Sequence, residues 1–210
     1  MKLHGYFRSG TSYRVRIALN LKGVSVEHAF HHLRRGEQRA PDYLRLNPQG
    51  LVPTLMLDGG QAITQSLAII EWLDETYPEP PLLPSDPLRR AKVRAFAFAI
   101  ACDIHPVQNL KVLARLRALG LPEEQVTGWA AAVNADGLAG CERLLAAEAG
   151  PFCFGDKPTL ADICLVPQLG GARRFGADVS AFPRLLAAEA ACLAMRAFAD
   201  AAPERQPDAE

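Results

Sequence analysis

Between Tyr77 and Pro87 the chain carries five prolines in eleven residues, Tyr-Pro-Glu-Pro-Pro-Leu-Leu-Pro-Ser-Asp-Pro. Proline lacks a backbone donor and fixes φ, so this run fits neither a helix interior nor a central strand. It reads as a linker at residues 81–87, between a segment of residues 1–80 and one of residues 88–210. The patterns on its two sides differ. The first segment alternates strand and helix signals, and the second is helical in character throughout.

In the first segment, residues 2–7 read as a strand and residues 12–22 as a helix presenting Tyr13, Ile17, Ala18 and Leu21, ended by Gly23. Residues 24–30 supply a second strand, followed by a polar loop over 34–39 and a helical turn near 42–46. Pro53 stands at the first residue of the next strand, where a missing ladder donor is tolerated. Asp58-Gly59-Gly60 signals a hairpin, with a short strand over 61–64 after it. Ser66 caps a helix with Leu67, Ile70, Leu73 and Tyr77 on one face. The order βαβαββα predicts a compact mixed sheet. Beyond the linker, helices are expected over 88–119, interrupted at Pro106, and over 122–149, 160–175 and 183–198. A polar tail from Ala201 is expected to fray. Thr159 and Asp162 have capping-box spacing, with an acid in place of Glu and Pro158 facing Ile163 as a staple, and are read as a folding signal.

Twenty-three basic and 23 acidic residues cancel, so no global field recruits nucleic acid or an anionic membrane. Any affinity for anions is local. The first residues lack the apolar core of a signal peptide, and the apolar runs are too short or interrupted to cross a bilayer, which predicts a cytoplasmic protein. The five cysteines are widely spaced, with no Cys-x-x-Cys pair. They suit neither a disulfide framework nor a zinc site, and no metal is expected.

The local anion site is expected at Arg8-Ser9-Gly10-Thr11-Ser12-Tyr13-Arg14-Val15-Arg16. A strand here ends in a hydroxyl-rich loop that opens a helix, and a helix start offers free N–H groups and the positive end of its dipole. Thioredoxin-like proteins place Cys-x-x-Cys at such a junction, whereas this chain has Ser9-x-x-Ser12. With no thiol of its own, the loop is a socket for a thiolate brought by a cofactor. The simpler reading makes Ser9 and Ser12 helix caps only. Arg14 and Arg16 weigh against it, because cations in a first helical turn oppose the dipole unless they have partners, such as salt bridges to the helical segment. Val52-Pro53 is a candidate cis peptide that turns the Val52 amide and carbonyl toward a peptide backbone. Gln65-Ser66, at another helix start, suits a carboxylate. A thiol, a peptide backbone and a carboxylate together describe glutathione.

Five ordered motifs resemble the zeta-class glutathione transferases, which include maleylacetoacetate and maleylpyruvate isomerases, and the resemblance spans nearly the whole chain. They are Arg8 to Leu19, Asn47-Pro48-Gln49-Gly50-Leu51-Val52-Pro53-Thr54-Leu55, Gln65-Ser66-Leu67-Ala68-Ile69-Ile70-Glu71, Cys102-Asp103-Ile104-His105-Pro106-Val107-Gln108-Asn109, and Gly155-Asp156-Lys157-Pro158-Thr159-Leu160-Ala161-Asp162. Thr11 departs from the family's cysteine. The resemblance implies the glutathione transferase architecture, an α/β thioredoxin-like N-terminal domain plus an all-α C-terminal domain with a cleft between them, and a homodimer. It implies that Ser9 donates to the glutathione thiolate, that Gly10, Thr11 and Ser12 line the socket, and that Gln38, Val52 and Pro53 hold the tripeptide backbone. Gln65 and Ser66 take the γ-glutamyl carboxylate, and His105, Asn109 and Lys111 approach from the helical domain.

The implied reaction is thiolate addition to the cis double bond of a maleyl keto acid, rotation, and elimination to the fumaryl isomer. Cations and amides aimed at the developing enolate would accelerate it. The substrate is a dianion, so Arg8, Lys111 and Arg174 are expected to bind it, and His105 is a candidate proton carrier. A general glutathione transferase, peroxidase or dehalogenase is the alternative enzyme, and a non-catalytic module that has kept the fold is the alternative outside catalysis.

Overall fold

A computed structural model describes residues 1–210 and divides them into two compact units. One comprises Met1–Pro81 together with Ala194–Glu210, and the other comprises Leu82–Leu193. By sequence, residues 194–210 belong with the helical segment, and the last of them are expected to fray. In the structure they pack on the first unit. The Tyr13 hydroxyl donates to the Phe198 carbonyl at 3.2 Å, and Arg16 Nε donates to the Ala201 carbonyl at 2.9 Å. Phe198, Ala201 and Ala202 are buried.

The first unit runs β1 (Lys2–Gly5), α1 (Gly10–Lys22), β2 (Glu27–Phe30), α2 (Pro41–Leu46), β3 (Thr54–Met56), β4 (Ala62–Thr64) and α3 (Ser66–Thr76), the order the sequence predicts. Two short 3-10 turns, Leu33–Arg35 and Glu37–Arg39, occupy the expected polar loop. The sheet order is β2-β1-β3-β4. β2 is parallel to β1, which requires the crossover that α1 supplies, and the other two pairings are antiparallel. Leu3 faces Leu55 and His4 faces Thr54 across β1 and β3. Alternation along a strand puts these two pairs on opposite faces of the sheet. Leu3, Leu55, Ile17, Ile69, Ile70 and Leu73 are fully buried, and α1 packs along α3. The His4 face carries a polar cluster instead. His4 Nδ1 lies 2.9 Å from His31 Nε2, and the His31 ring centroid lies 4.3 Å from that of Tyr43.

β2 begins at Glu27 rather than residue 24, β3 and β4 each begin one residue later than expected, and two further boundaries bear on the site. β1 ends at Gly5 rather than residue 7, because Tyr6 and Phe7 give their carbonyls to the Arg16 guanidinium instead of a ladder, at 3.4 and 3.0 Å. α1 opens at Gly10, with Ser9 and not Ser12 beside its first turn.

The second unit contains α4 (Pro87–Phe98), α5 (Leu110–Ala118), α6 (Glu123–Leu144), α7 (Leu160–Arg174) and α8 (Pro183–Leu193). The expected interruption near Pro106 is longer than one residue. α4 widens into a π-helical segment, Ala99–Ile104, and then tightens into the 3-10 turn His105–Gln108 before α5 begins. The helix expected over 183–198 is two helices, since the extended residue Met195 separates α8 from α9 (Arg196–Ala199). The capping box at the head of α7 forms as predicted. Asp162 Oδ2 accepts from Thr159 N and Asp162 Oδ1 from Cys153 N, both at 2.8 Å. Burial pushes the Asp162 carboxyl above the usual range despite those bonds. No helix is long and apolar enough to cross a membrane.

Candidate functional site

The head of α1 is built by Ser9. Its backbone is extended, its carbonyl accepts from Tyr13 N at 2.9 Å and its Oγ accepts from Ser12 N at 3.2 Å, so Ser9 is the N-cap. The amides of Gly10 and Thr11 fall in the first turn, where no intrahelical acceptor exists. Beside them the Thr11 hydroxyl donates to the Val52 carbonyl at 2.9 Å, and Ser9 Oγ lies 2.8 Å from Thr11 Oγ1. A hydroxyl has one proton. Thr11's is committed to Val52, so Ser9 donates to Thr11 and accepts from Ser12. An anion arriving at the helix start therefore meets two amides and a serine hydroxyl that can swing from Thr11 to the newcomer.

The Val52-Pro53 bond is cis, as the sequence predicts, and both residues are buried. The Val52 carbonyl also has a partner within the chain. It is the acceptor for Thr11 and so welds the loop to the helix start. From below, Tyr43 Oη and Asn47 Nδ2 donate to the Leu51 carbonyl at 2.6 and 2.7 Å, and the Tyr43 hydroxyl also bonds Thr54 Oγ1 at 2.9 Å. Ser9, Thr11, Ser12 and Val52 are thus brought together on one hydrogen-bonded frame, with Pro53 next in the chain.

A second local feature sits at the head of α3. Gln65, not Ser66, holds the N-cap position, with φ at 68° and no capping bond from its side chain. It is the one non-glycine residue in the left-handed region, a conformation that costs of order 1 to 3 kcal/mol and clusters at ligand sites. Gln65 Nε2 donates to Gln49 Oε1 at 2.8 Å, a partner the sequence reading missed, and Ser66 is buried in the first turn of α3. Gln38 lies in the turn Glu37–Arg39, and its Oε1 is buried with no hydrogen-bond partner. The Arg8 guanidinium stacks over the Phe7 ring, 5.0 Å from its centroid.

By sequence, salt bridges to the helical segment are the expected partners of the α1 arginines. Arg16 instead gives its donors to three backbone carbonyls of its own unit, those of Tyr6, Phe7 and Ala201. Burial lowers its pKa to about 10, with the nearby Asp208 charge acting in the opposite sense.

In the helical unit, Asn109 is the N-cap of α5. Its Oδ1 accepts from Lys111 N and Val112 N at 3.0 and 3.2 Å, which leaves only its amide nitrogen for a ligand. His105 is half-buried at the start of the 3-10 turn, and Lys111 is exposed. At the end of α7, Arg173 is held bidentate by Glu189 at 2.6 and 2.5 Å, and both Arg173 and Arg174 are exposed.

Residues 8–76 match the model of the glutathione S-transferase N-terminal domain, and residues 124–188 that of the glutathione S-transferase C-terminal domain. The chain is 50% identical over 210 residues to maleylacetoacetate isomerase of Pseudomonas aeruginosa, covering 99% of this chain and 98% of that one. It is 48% identical over 211 residues to maleylpyruvate isomerase of a Ralstonia species, covering 99% of each. Among solved structures it is similar to the holo form of a bacterial zeta-class maleylpyruvate isomerase, with 47% identity, full coverage of both chains and a TM-score of 0.97. A maleylacetoacetate isomerase of Methylobacterium extorquens, solved with malonate and glutathione bound, superposes with a TM-score of 0.96 at 42% identity and full coverage. The thioredoxin-like unit with its serine-headed helix, the helical unit and these full-length similarities place the chain in the zeta class of the glutathione transferases.

Proposed function

We propose that the protein is a glutathione-dependent cis–trans isomerase that converts a maleyl keto acid, maleylacetoacetate or maleylpyruvate, to its fumaryl isomer. The observation that carries this reading is the Ser9–Thr11–Val52 frame at the head of α1, in a chain of the family that holds both isomerases. The residues present fit glutathione. Two first-turn amides and the Ser9 hydroxyl suit a thiolate, the buried and unpartnered Gln38 Oε1 suits a backbone N–H, and the Gln65–Ser66 helix start suits a carboxylate. When bound, glutathione supplies the nucleophilic thiolate and is regenerated.

The chain's own part is positioning and charge. Ser9 turns its proton from Thr11 toward the sulfur, and the first-turn amides of α1 keep that sulfur ionised near neutral pH. Arg8, Lys111 and Arg174 are assigned to the substrate's two carboxylates and to the enolate charge that develops next to the carbonyl. We assign the protein to the cytoplasm and to a homodimer.

The test is a side-by-side absorbance assay on maleylacetoacetate and maleylpyruvate, with and without glutathione. Loss of the maleyl chromophore only when glutathione is present is the expected result. Retention on a glutathione column with no turnover of either compound would refute the isomerase and leave a binding module, whereas conjugation of apolar electrophiles or dehalogenation alone would identify a general transferase.

A further inference from the structure

The polar C-terminal residues grip the backbone beside Ser9. Asp208 Oδ2 accepts from Phe7 N at 2.9 Å. The carbonyl of the same residue is held from the other side by Arg16 Nη2 at 3.0 Å, and Arg16 Nε holds the tail itself through the Ala201 carbonyl. Gln206 Nε2 folds the tail onto itself by donating to the Asp200 and Ala202 carbonyls at 3.0 and 2.9 Å. Beyond Asp208, Glu210 Oε1 lies 3.0 Å from His32 Nε2 and 3.5 Å from Arg35 Nη2. Burial pushes the Tyr6 hydroxyl up, with the Glu210 and Asp208 charges acting in the same sense, and His32, with Arg8 in a smaller part, holds the Glu210 carboxyl down. Phe7 is therefore fixed at both its N–H and its C=O, two residues before the N-cap serine, in a stretch that belongs to no strand.

We infer that residues 203–210 form a strap and that Asp208 is a positioning residue for the reaction, setting the Ser9 loop through the Phe7 amide. The proposal rests on the reading of Ser9 as the thiolate donor. The physical reason is preorganisation. A group misplaced by about 1 Å can cost up to ~100-fold in rate, and the segment from Tyr6 to Ser9 has only one backbone bond of its own, Ser9 N to the Tyr6 carbonyl at 3.0 Å. Ser12 Oγ accepts from Tyr6 N and the first turn of α1 holds Ser9, while the bonds on Phe7 come from Arg16 and Asp208.

Four proteins test this: the parent, Asp208→Ala, Asp208→Asn, which keeps an acceptor oxygen for Phe7 N–H, and Glu210→Gln, which loosens only the end of the strap. Arg205→Ala, on the exposed side of the tail, is the control. Calorimetric binding of glutathione to the parent comes first, since its absence would refute the socket reading itself. With binding established, three quantities are compared well below each protein's melting temperature: amide exchange over residues 6–12, KM for glutathione, and the apparent pKa of bound glutathione from thiolate absorbance.

In Asp208→Ala the exchange is expected to speed by at least about tenfold and KM to rise by at least about fivefold, with the thiol pKa moving upward. Asp208→Asn should restore most of each change, Glu210→Gln should give smaller shifts of the same sign, and Arg205→Ala should match the parent. Unaltered exchange in Asp208→Ala would overturn the strap. Faster exchange with unchanged KM and thiol pKa, or Asp208→Asn as impaired as Asp208→Ala, would overturn the positioning role. Should Asp208→Ala fail to fold, a Glu210→Gln protein identical to the parent in all three readouts would do the same.

Discussion

Ser9 has two jobs that one substitution separates. As N-cap it accepts from Ser12 N, and Ser9→Ala is expected to cost about 1 kcal/mol of stability. As thiolate donor it contributes a charge-assisted bond of about 1.5 to 3 kcal/mol, so the same variant should lose at least about tenfold in turnover with its circular dichroism unchanged. Parent-like turnover would remove Ser9 from the chemistry. The serine, threonine and valine of this frame could be named from the chain alone, but which hydroxyl caps the helix could not. Ser9, Thr11 and Ser12 are all competent caps, and the choice rests on the extended backbone at Ser9, which the Arg16 bonds to Tyr6 and Phe7 help impose. The His4–His31 pair was invisible for a similar reason, since its members come from separate strands and loops. Burial lowers the pKa of both rings, so the native state holds them neutral where the unfolded chain takes up protons. Stability should then fall as pH drops below about 6.5, the unfolded-state value. His31→Gln is expected to shallow that slope in urea midpoints measured from pH 7 to pH 5 without abolishing it, because burial lowers His28 as well. An unchanged slope would show that the pair does not titrate with folding.

Among the elements, those with strong local signals are the ones the chain announces. Gly23 closes α1 in the left-handed conformation, and the strand-helix order of the first unit is as read. The capping box at Thr159 and Asp162 forms, and it does more than its spacing implies, because the Cys153 amide also depends on Asp162. Asp162→Ala removes the acid half of the capping box and so strands two buried N–H donors, those of Cys153 and Thr159. At about 1 to 3 kcal/mol for each stranded donor, the loss is roughly 2 to 6 kcal/mol, a large share of the stability of a unit this size. Asp162→Asn, which retains one acceptor oxygen, should lose less, and equal melting temperatures for Asp162→Ala and the parent would refute this account. The π segment Ala99–Ile104 had no such signature. A single proline at 106 announces where a helix breaks, but the extra residue per turn that precedes it reflects packing against α6, where a Cβ at Gly137 would sit 2.3 Å from Ile104 Cγ1. That contact joins residues 33 positions apart and leaves no mark on local periodicity.

For the whole molecule, the path of the chain matters more than its linker. It leaves the first unit at Pro81, builds the helical unit over Leu82–Leu193 and returns, so the thioredoxin-like unit is discontinuous in sequence. The return could not be read from composition. Residues 201–210 are polar, and what holds them is a set of hydrogen bonds to a buried arginine and a backbone amide some two hundred positions earlier. The first unit should therefore not stand on residues 1–81 alone. Removing residues 194–210 uncovers the site of Phe198, whose full burial is worth about 2 to 3 kcal/mol, and leaves Arg16 without the Ala201 carbonyl and the Asp208 charge. The loss of an acceptor for a buried cation adds about 1 to 3 kcal/mol, and the two together rival the 5 or so kcal/mol available to a unit this small. A fragment of residues 1–81 is accordingly expected to lack a cooperative urea transition and dispersed amide resonances. Adding a synthetic peptide of residues 194–210 in trans should restore both, with a midpoint that rises with peptide concentration by mass action. A fragment that folds cooperatively without the peptide, at a stability the peptide does not raise, would show that the returning segment is an ornament on the unit and not one of its parts.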